Sequence, residues 1–160
     1  MKSPIIIYFL LFSTIDIVIG ISNLLNTSVH TCIACVCHAT TGCYSLKNCA
    51  NYSINYQYWE VAGAPTLTAD GEVNEEMYLK CMTDDNCIIN TIYKYIYMHR
   101  RPDCNCDDQY DCRDELSLHL LRGNCKPMKS MAHRYRYNRC AINRSLPRLG
   151  ANLECSNAAP

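Results

Sequence analysis

Thirteen cysteines in a chain of 160 residues constrain this protein more than any other feature. At about 8% of the residues, they bring the chain close to the composition of a disulfide scaffold. Cytosolic glutathione would keep such thiols reduced, so the count points to an oxidising compartment. An odd number leaves at least one thiol unpaired or bonded to another chain. A length of 160 residues suits one domain. Lys+Arg and Asp+Glu both count 15, so the formal net charge is zero. That balance argues against a protein that coats nucleic acid or membranes through its overall charge.

The N-terminus agrees with export. Met1-Lys2 precedes an unbroken apolar run over 5–12, nearly continued over 15–21. This reads as a secretory signal peptide over residues 1–20, cleaved after Gly20. Asp16 disfavours an uncleaved anchor, because a carboxylate at bilayer depth costs roughly 2.5–3.5 kcal/mol. A spacer over 21–30, a domain over 31–140 and a basic tail over 141–160 then follow. The mature chain is expected outside the cell, free of membrane and of nucleic acid. Three Asn-x-Ser sequons, at Asn26, Asn51 and Asn143, mark glycan acceptor sites.

Five cysteines lie within residues 31–49: Cys32, Cys35, Cys37, Cys43 and Cys49. That density predicts short bridged loops rather than long helices. Cys32-x-x-Cys35 lacks the second ligand pair of a zinc site and reads as structural disulfide. Tyr52, Ile54, Tyr56 and Tyr58 alternate with polar residues, the period of a strand with one apolar face, ended by Gly63-Ala64-Pro65. From residue 74 the period lengthens. Met77 and Cys81, then Ile88, Ile92, Tyr95 and Ile96, predict two helices around a polar turn at 83–86. Cys81 and Cys87 are expected to bridge around that turn, and Arg101-Pro102 to stop the second helix. A short helix is predicted over 114–121, broken by Gly123-Asn124.

Residues 126–153 read as a loop-rich stretch without an acid. It carries Lys126, Lys129, Arg134, Arg136, Arg139, Arg144 and Arg148, whereas residues 70–115 hold twelve of the fifteen acids. The basic stretch is either a solvated face or a contact for an anionic bacterial wall or a glycosaminoglycan. Asp103, Asn105, Asp107, Gln109, Asp111 and Asp114 have the spacing of a calcium loop. Asp108 in place of the turn glycine, and three cysteines in the same loop, favour a disulfide-pinned acidic turn instead. No metal and no cofactor is expected.

The ordered set of motifs is more specific than any piece. Cys32-x-x-Cys35-x-Cys37 is followed by Cys49, Tyr58-Trp59, Tyr78-x-x-Cys81-x-x-Asp84-x-x-Cys87 and Asn90-Thr91 ahead of Tyr95. Asp103-Cys104-Asn105, Asp111-Cys112, His119 and Gly123-Asn124-Cys125 complete it. Over residues 31–140 this order resembles the invertebrate-type lysozyme, or destabilase, family. The resemblance implies an α+β fold: a small disulfide-rich lysozyme-like domain, mainly short helices with a small β-sheet. It also implies a cleft for peptidoglycan, the β-1,4-linked polymer of N-acetylmuramic acid and N-acetylglucosamine, in antibacterial defence or digestion. The family's substrate-binding positions read here Asn55, Tyr56, Gln57, Tyr58, Trp59, Tyr95, His119, Arg122 and Gly123. Its disulfide cysteines read Cys32, Cys35, Cys37, Cys43, Cys81, Cys87, Cys104, Cys112, Cys125 and Cys140, with Cys37–Cys43 and Cys81–Cys87 as local bridges. Ala62 and Thr91 stand where a further family bridge is lost as a unit. The pairing of Cys49, Cys106 and Cys155 stays open.

The chemistry is a separate matter. Lysozymes need one carboxylic acid to protonate the leaving oxygen and a second carboxylate to stabilise or capture the sugar cation. The family's acid is a Glu at the position of Thr40, and its Asp lies in a segment missing between Cys43 and Cys49. No Asp or Glu occurs between Ile21 and Trp59, so no local shift restores the pair, and Glu60 is the nearest carboxylate. No catalytic residue is therefore assigned, and hydrolysis is expected to be weak or absent. The Ser of a family isopeptidase pair falls in the same gap, leaving only His119. The alternatives are a non-catalytic sugar-binding or immune-recognition protein, and an interaction protein using the basic tail and a spare thiol.

Overall fold

The computed structural model describes residues 21–68, 71–99, 102–126 and 130–150. The signal segment, Cys155 and the end of the basic tail lie outside the described residues. Seven α-helices occur among the described residues, and no strand. They are α1 (Ser28–Thr41), α2 (Leu46–Ser53), α3 (Tyr56–Val61), α4 (Glu75–Cys81), α5 (Asp85–Met98), α6 (Cys112–Leu120) and α7 (Met131–Asn143).

Every one of these helices starts at a polar residue whose side chain accepts a backbone N–H of the first turn: Thr27, Ser45, Asn55, Asn74, Asp84, Asp111 and Ser130. Each cap satisfies an otherwise orphaned donor. At α6 the arrangement is reciprocal, with Asp114 accepting from the Asp111 N–H at 2.8 Å.

The cysteine-dense segment is a helix rather than a set of loops. α1 is buried from Cys32 to Ala39, and its cysteines reach three different partners. Cys32 bonds Cys112 at the start of α6, Cys35 bonds Cys140 of α7, and Cys37 bonds Cys49 of α2. At about 100° per residue, steps of three and two residues turn the cysteines toward different sides of one helix. Cysteine density here reports a hub helix. It also explains why Cys37 pairs with Cys49 and not with Cys43. α1 ends at Gly42 (φ 80°), and Cys49 sits on the buried face of α2 with Leu46 and Ala50. Cys43 is left in the connecting turn as a free thiol, accepting a hydrogen bond from Asn48 Nδ2 at 3.0 Å. Cys81 bonds Cys87 and Cys104 bonds Cys125, and Cys106 is also disulfide-bonded.

The strand expected over 52–58 is replaced by α2, two extended residues and α3. Ile54 is extended and Asn55 starts a new helix, so Tyr52 ends 80% exposed while Tyr58 is buried. Alternation of polar and apolar residues across a helix–cap–helix junction imitates period 2 without a sheet. The small β-sheet is thus absent among the described residues. The loop expected over 126–153 contains α7, and there the signal was faint. Only Tyr137, Cys140 and Ala141 of that helix are buried, a single i, i+3, i+4 set. They join Cys35, Val36, Leu116 and Leu149 in one core cluster. The larger cluster holds Ile33, Trp59, Ile88, Ile92 and Leu118, so α1 contributes to both. α4 and α5 form where the period predicted them, and the short helix expected over 114–121 is α6, which starts two residues earlier.

Candidate functional site

One side of α3, the C-terminal half of α5 and the turn after α6 enclose a shallow groove of about 320 Å³. Its lining is Asn55, Gln57, Tyr58, Val61, Tyr95 and Arg122. Asn55 caps α3, its Oδ1 accepting from the Tyr58 N–H at 2.8 Å. That places Gln57, Tyr58 and Val61 on one side of the short helix. Tyr58 stacks on Tyr95, with ring centroids 3.6 Å apart and planes 15° from parallel. The Arg122 guanidinium lies 5.2 Å from the Tyr58 ring centroid. Arg122 (φ 53°) and Gly123 (φ 81°) are consecutive left-handed residues, and the Gly123 N–H donates to the Leu118 carbonyl at 2.8 Å. This reversal swings Arg122 over the aromatic pair.

Five of the expected contact residues therefore meet at the groove, and others do not. Trp59 is fully buried, its indole N–H donating to the Pro65 carbonyl at 2.9 Å, and it belongs to the core. Tyr56 lies on the other side of α3, against Trp59 and Tyr78. Glu60 shares that side of α3 and is not in the groove lining. Gly123 sits behind the groove against the His99 ring. Val61 is a lining residue the sequence reading missed. Its signal is helical spacing, one turn after Gln57 and Tyr58, hidden while the segment reads as a strand.

His119 also lies beneath the groove rather than in it. It is 1% exposed, and its Nδ1 shares a hydrogen bond with the Tyr58 hydroxyl at 2.9 Å. Burial, with the Arg122 charge adding to it, lowers its pKa to about 3. The folded-state value lies below the unfolded one, near 6.5. Its contribution to stability is therefore complete above about pH 6.5 and is lost as the pH falls toward 3. Replacing His119 by Phe is expected to flatten the acid limb of a stability–pH profile measured by chemical denaturation. An unchanged slope between pH 6.5 and 4 would exclude His119 as its source.

The remaining sequence candidates are accounted for locally. Thr40 is half-buried at the end of α1, where its hydroxyl donates to the Val36 carbonyl at 2.9 Å. Its own carbonyl accepts from Arg136 at 3.5 Å. In the acidic turn, Asp103 accepts from the N–H groups of Asn105, Cys106 and Asp108. Arg113 pairs with both Asp107 and Asp111, so a protein cation already occupies the charge of the loop. Cys32, Cys112 and Glu115 lie close together, but the two sulfurs are bonded to each other. Ala62 and Thr91, the positions of the lost family bridge, are both buried.

Fold and site define a class: a disulfide-stapled helical domain with an aromatic surface groove edged by one guanidinium and, among the described residues, lined by no carboxylate. The chain belongs to the invertebrate-type lysozyme/destabilase family, since the Destabilase family model matches residues 29–141. Searches of curated proteins and of solved structures gave no match to the chain.

Proposed function

We propose that this is a secreted family member that binds peptidoglycan, or a related amino-sugar polymer, in the groove of Tyr58 and Tyr95. It hydrolyses that polymer weakly or not at all, and serves antibacterial defence or digestion as a recognition protein. The carrying observation is the lining of two carboxamides, two phenols, one valine and one guanidinium. The exposed Asn55, Gln57 and Arg122 suit the hydroxyls of pyranose rings, over a floor made by the buried Tyr58–Tyr95 pair. Nothing in that set replaces the carboxyl pair of glycoside hydrolysis. A guanidinium keeps its protons, and burial pushes the Tyr58 phenol well above its ordinary value. The disulfides support an oxidising, extracellular location. The three sequon asparagines are all exposed, as glycan acceptors must be.

Two measurements test this reading. Retention on insoluble, phosphate-free peptidoglycan is expected, with no clearing of a wall suspension. Gln57→Ala with Arg122→Ala is expected to weaken retention about thirtyfold, two lost polar contacts of roughly 1 kcal/mol each, at unchanged melting temperature. Equal retention of the variant rejects the groove, and rapid clearing rejects the lost chemistry. Thr40→Glu is expected not to create activity. A carboxylate placed beside Arg136 would be held ionised and would lack the proton a general acid must donate. Its sugar-cation partner would still be missing.

A further inference from the structure

Two stretches of the chain lack any acid, residues 21–59 and residues 116–153. They are far apart in sequence, yet α1 and α7 pack along each other and are joined by Cys35–Cys140. Residues 21–59 hold only Lys47 among Lys and Arg, so the packing sets the arginines of α7 beside a partner helix that has no acid to neutralise them. Beside these arginines the His38 ring stacks on Tyr44, 4.1 Å between centroids and 3° from parallel. Arg144 lies 5.6 Å from the Tyr44 ring centroid. The Arg136 guanidinium reaches the Thr40 carbonyl and lies beside Gly42. Burial, with the charges of Arg139 and Arg136 adding to it, holds the His38 imidazole below its ordinary pKa. Arg139 also edges a hollow of about 300 Å³ with Tyr135, Asn138, Ile142 and Asn143. The acids nearest α7, at 111, 114 and 115, act on Tyr137, which points into the core.

Arg136 alone is explained as a cap on the end of α1. Arg139 and Arg144 are exposed, and among the described residues no carboxylate accompanies them. We propose that this face, Arg136, Arg139 and Arg144 around the His38–Tyr44 stack, binds the phosphate groups of an anionic wall polymer. Guanidinium groups match phosphate oxygens bidentately and hold them with charge-assisted hydrogen bonds. The occupant follows from charge complementarity together with the wall-binding reading above, on which the choice of a wall polymer rests. A protein held to the wall by this face does not need the missing carboxyl pair.

The test titrates the full, disulfide-bonded chain with a glycerol-phosphate oligomer, which contains no amino sugar and does not probe the groove. Calorimetry and the His38 ring-proton resonances give the readout. Binding that weakens with salt and moves the His38 signals is expected. Arg139→Gln with Arg144→Gln is expected to lower affinity at least about tenfold at unchanged melting temperature, whereas Gln57→Ala leaves it unchanged. Equal affinity of the double variant, or stationary His38 signals, overturns the site. Binding of a sulfated oligosaccharide without binding of the phosphate oligomer overturns the occupant. Loss of peptidoglycan retention with intact phosphate binding rejects the groove alone.

Discussion

Replacing both Cys35 and Cys140 by alanine is expected to remove about 4–5 kcal/mol of stability, the largest single effect in this molecule. The reason is the length of chain the bridge closes. Its cysteines are 105 residues apart, and closing a loop of that size restricts the unfolded chain more than closing a short one. Cys81 and Cys87 are only 6 apart, and the same relation gives about 2 kcal/mol for their removal. The long bridge also holds α7, which buries just Tyr137, Cys140 and Ala141 of its own residues. Against a total of about 5–15 kcal/mol for a domain, the loss should leave much of the variant unfolded at 37 °C. Urea unfolding of the two bridge-deletion variants checks this. Equal losses would show that loop length is not what makes the Cys35–Cys140 bridge matter.

Gly123→Ala is expected to cost about 3 kcal/mol and to disorganise the groove, where an ordinary surface Gly→Ala change costs under one. The residue has φ 81°, a region that penalises any Cβ by roughly 1–2 kcal/mol. The Cβ would also fall 2.1 Å from His99 Cε1, with the other near atoms in the same ring. That ring sits edge-on to Tyr95, 4.9 Å between centroids, and its Nε2 is buried without a hydrogen-bond partner. Moving His99 therefore displaces Tyr95 and the Tyr58 ring stacked on it. Gly63 is the control, since it has φ 82° with nothing within 4 Å. Gly63→Ala should show the backbone cost alone, about 1 kcal/mol. Melting temperatures of the two variants, with wall retention beside them, decide the matter. Equal melting temperatures would mean that His99 relaxes freely and that the packing argument is wrong.

The legible parts of this protein were those where one residue type has one physical meaning. Apolar residues three and four apart mean a helix, so Met77 and Cys81, then Ile88, Ile92, Tyr95 and Ile96, marked α4 and α5 in advance. Cys81 and Cys87 flank a four-residue polar turn, and their bridge was readable from spacing. Asn55, Gln57, Tyr58, Tyr95 and Arg122 were carried to the groove by the family's motif order. The unreadable parts were those where a pattern admits two structures. Cysteines every two or three residues suit bridged loops and a hub helix equally. Tyr52 to Tyr58 alternates whether it is a strand or a helix pair interrupted at Ile54. α7 presents one turn of buried residues among arginines, too little for its period to emerge.

From sequence alone came the need for an oxidising compartment, the family's motif order, and the lack of any Asp or Glu from residue 21 to residue 59. Composition suffices for these, because a missing carboxylate is missing in every conformation. Tertiary structure alone decided which side of each helix met the core. Tyr58 and Trp59 are neighbours about 100° apart on α3. Both are buried, yet only Tyr58 also borders the groove, and no local pattern states on which side the rest of the chain will pack. For the same reason only the folded chain sets the arginines of α7 against the acid-free α1, a packing that Cys35–Cys140 fastens.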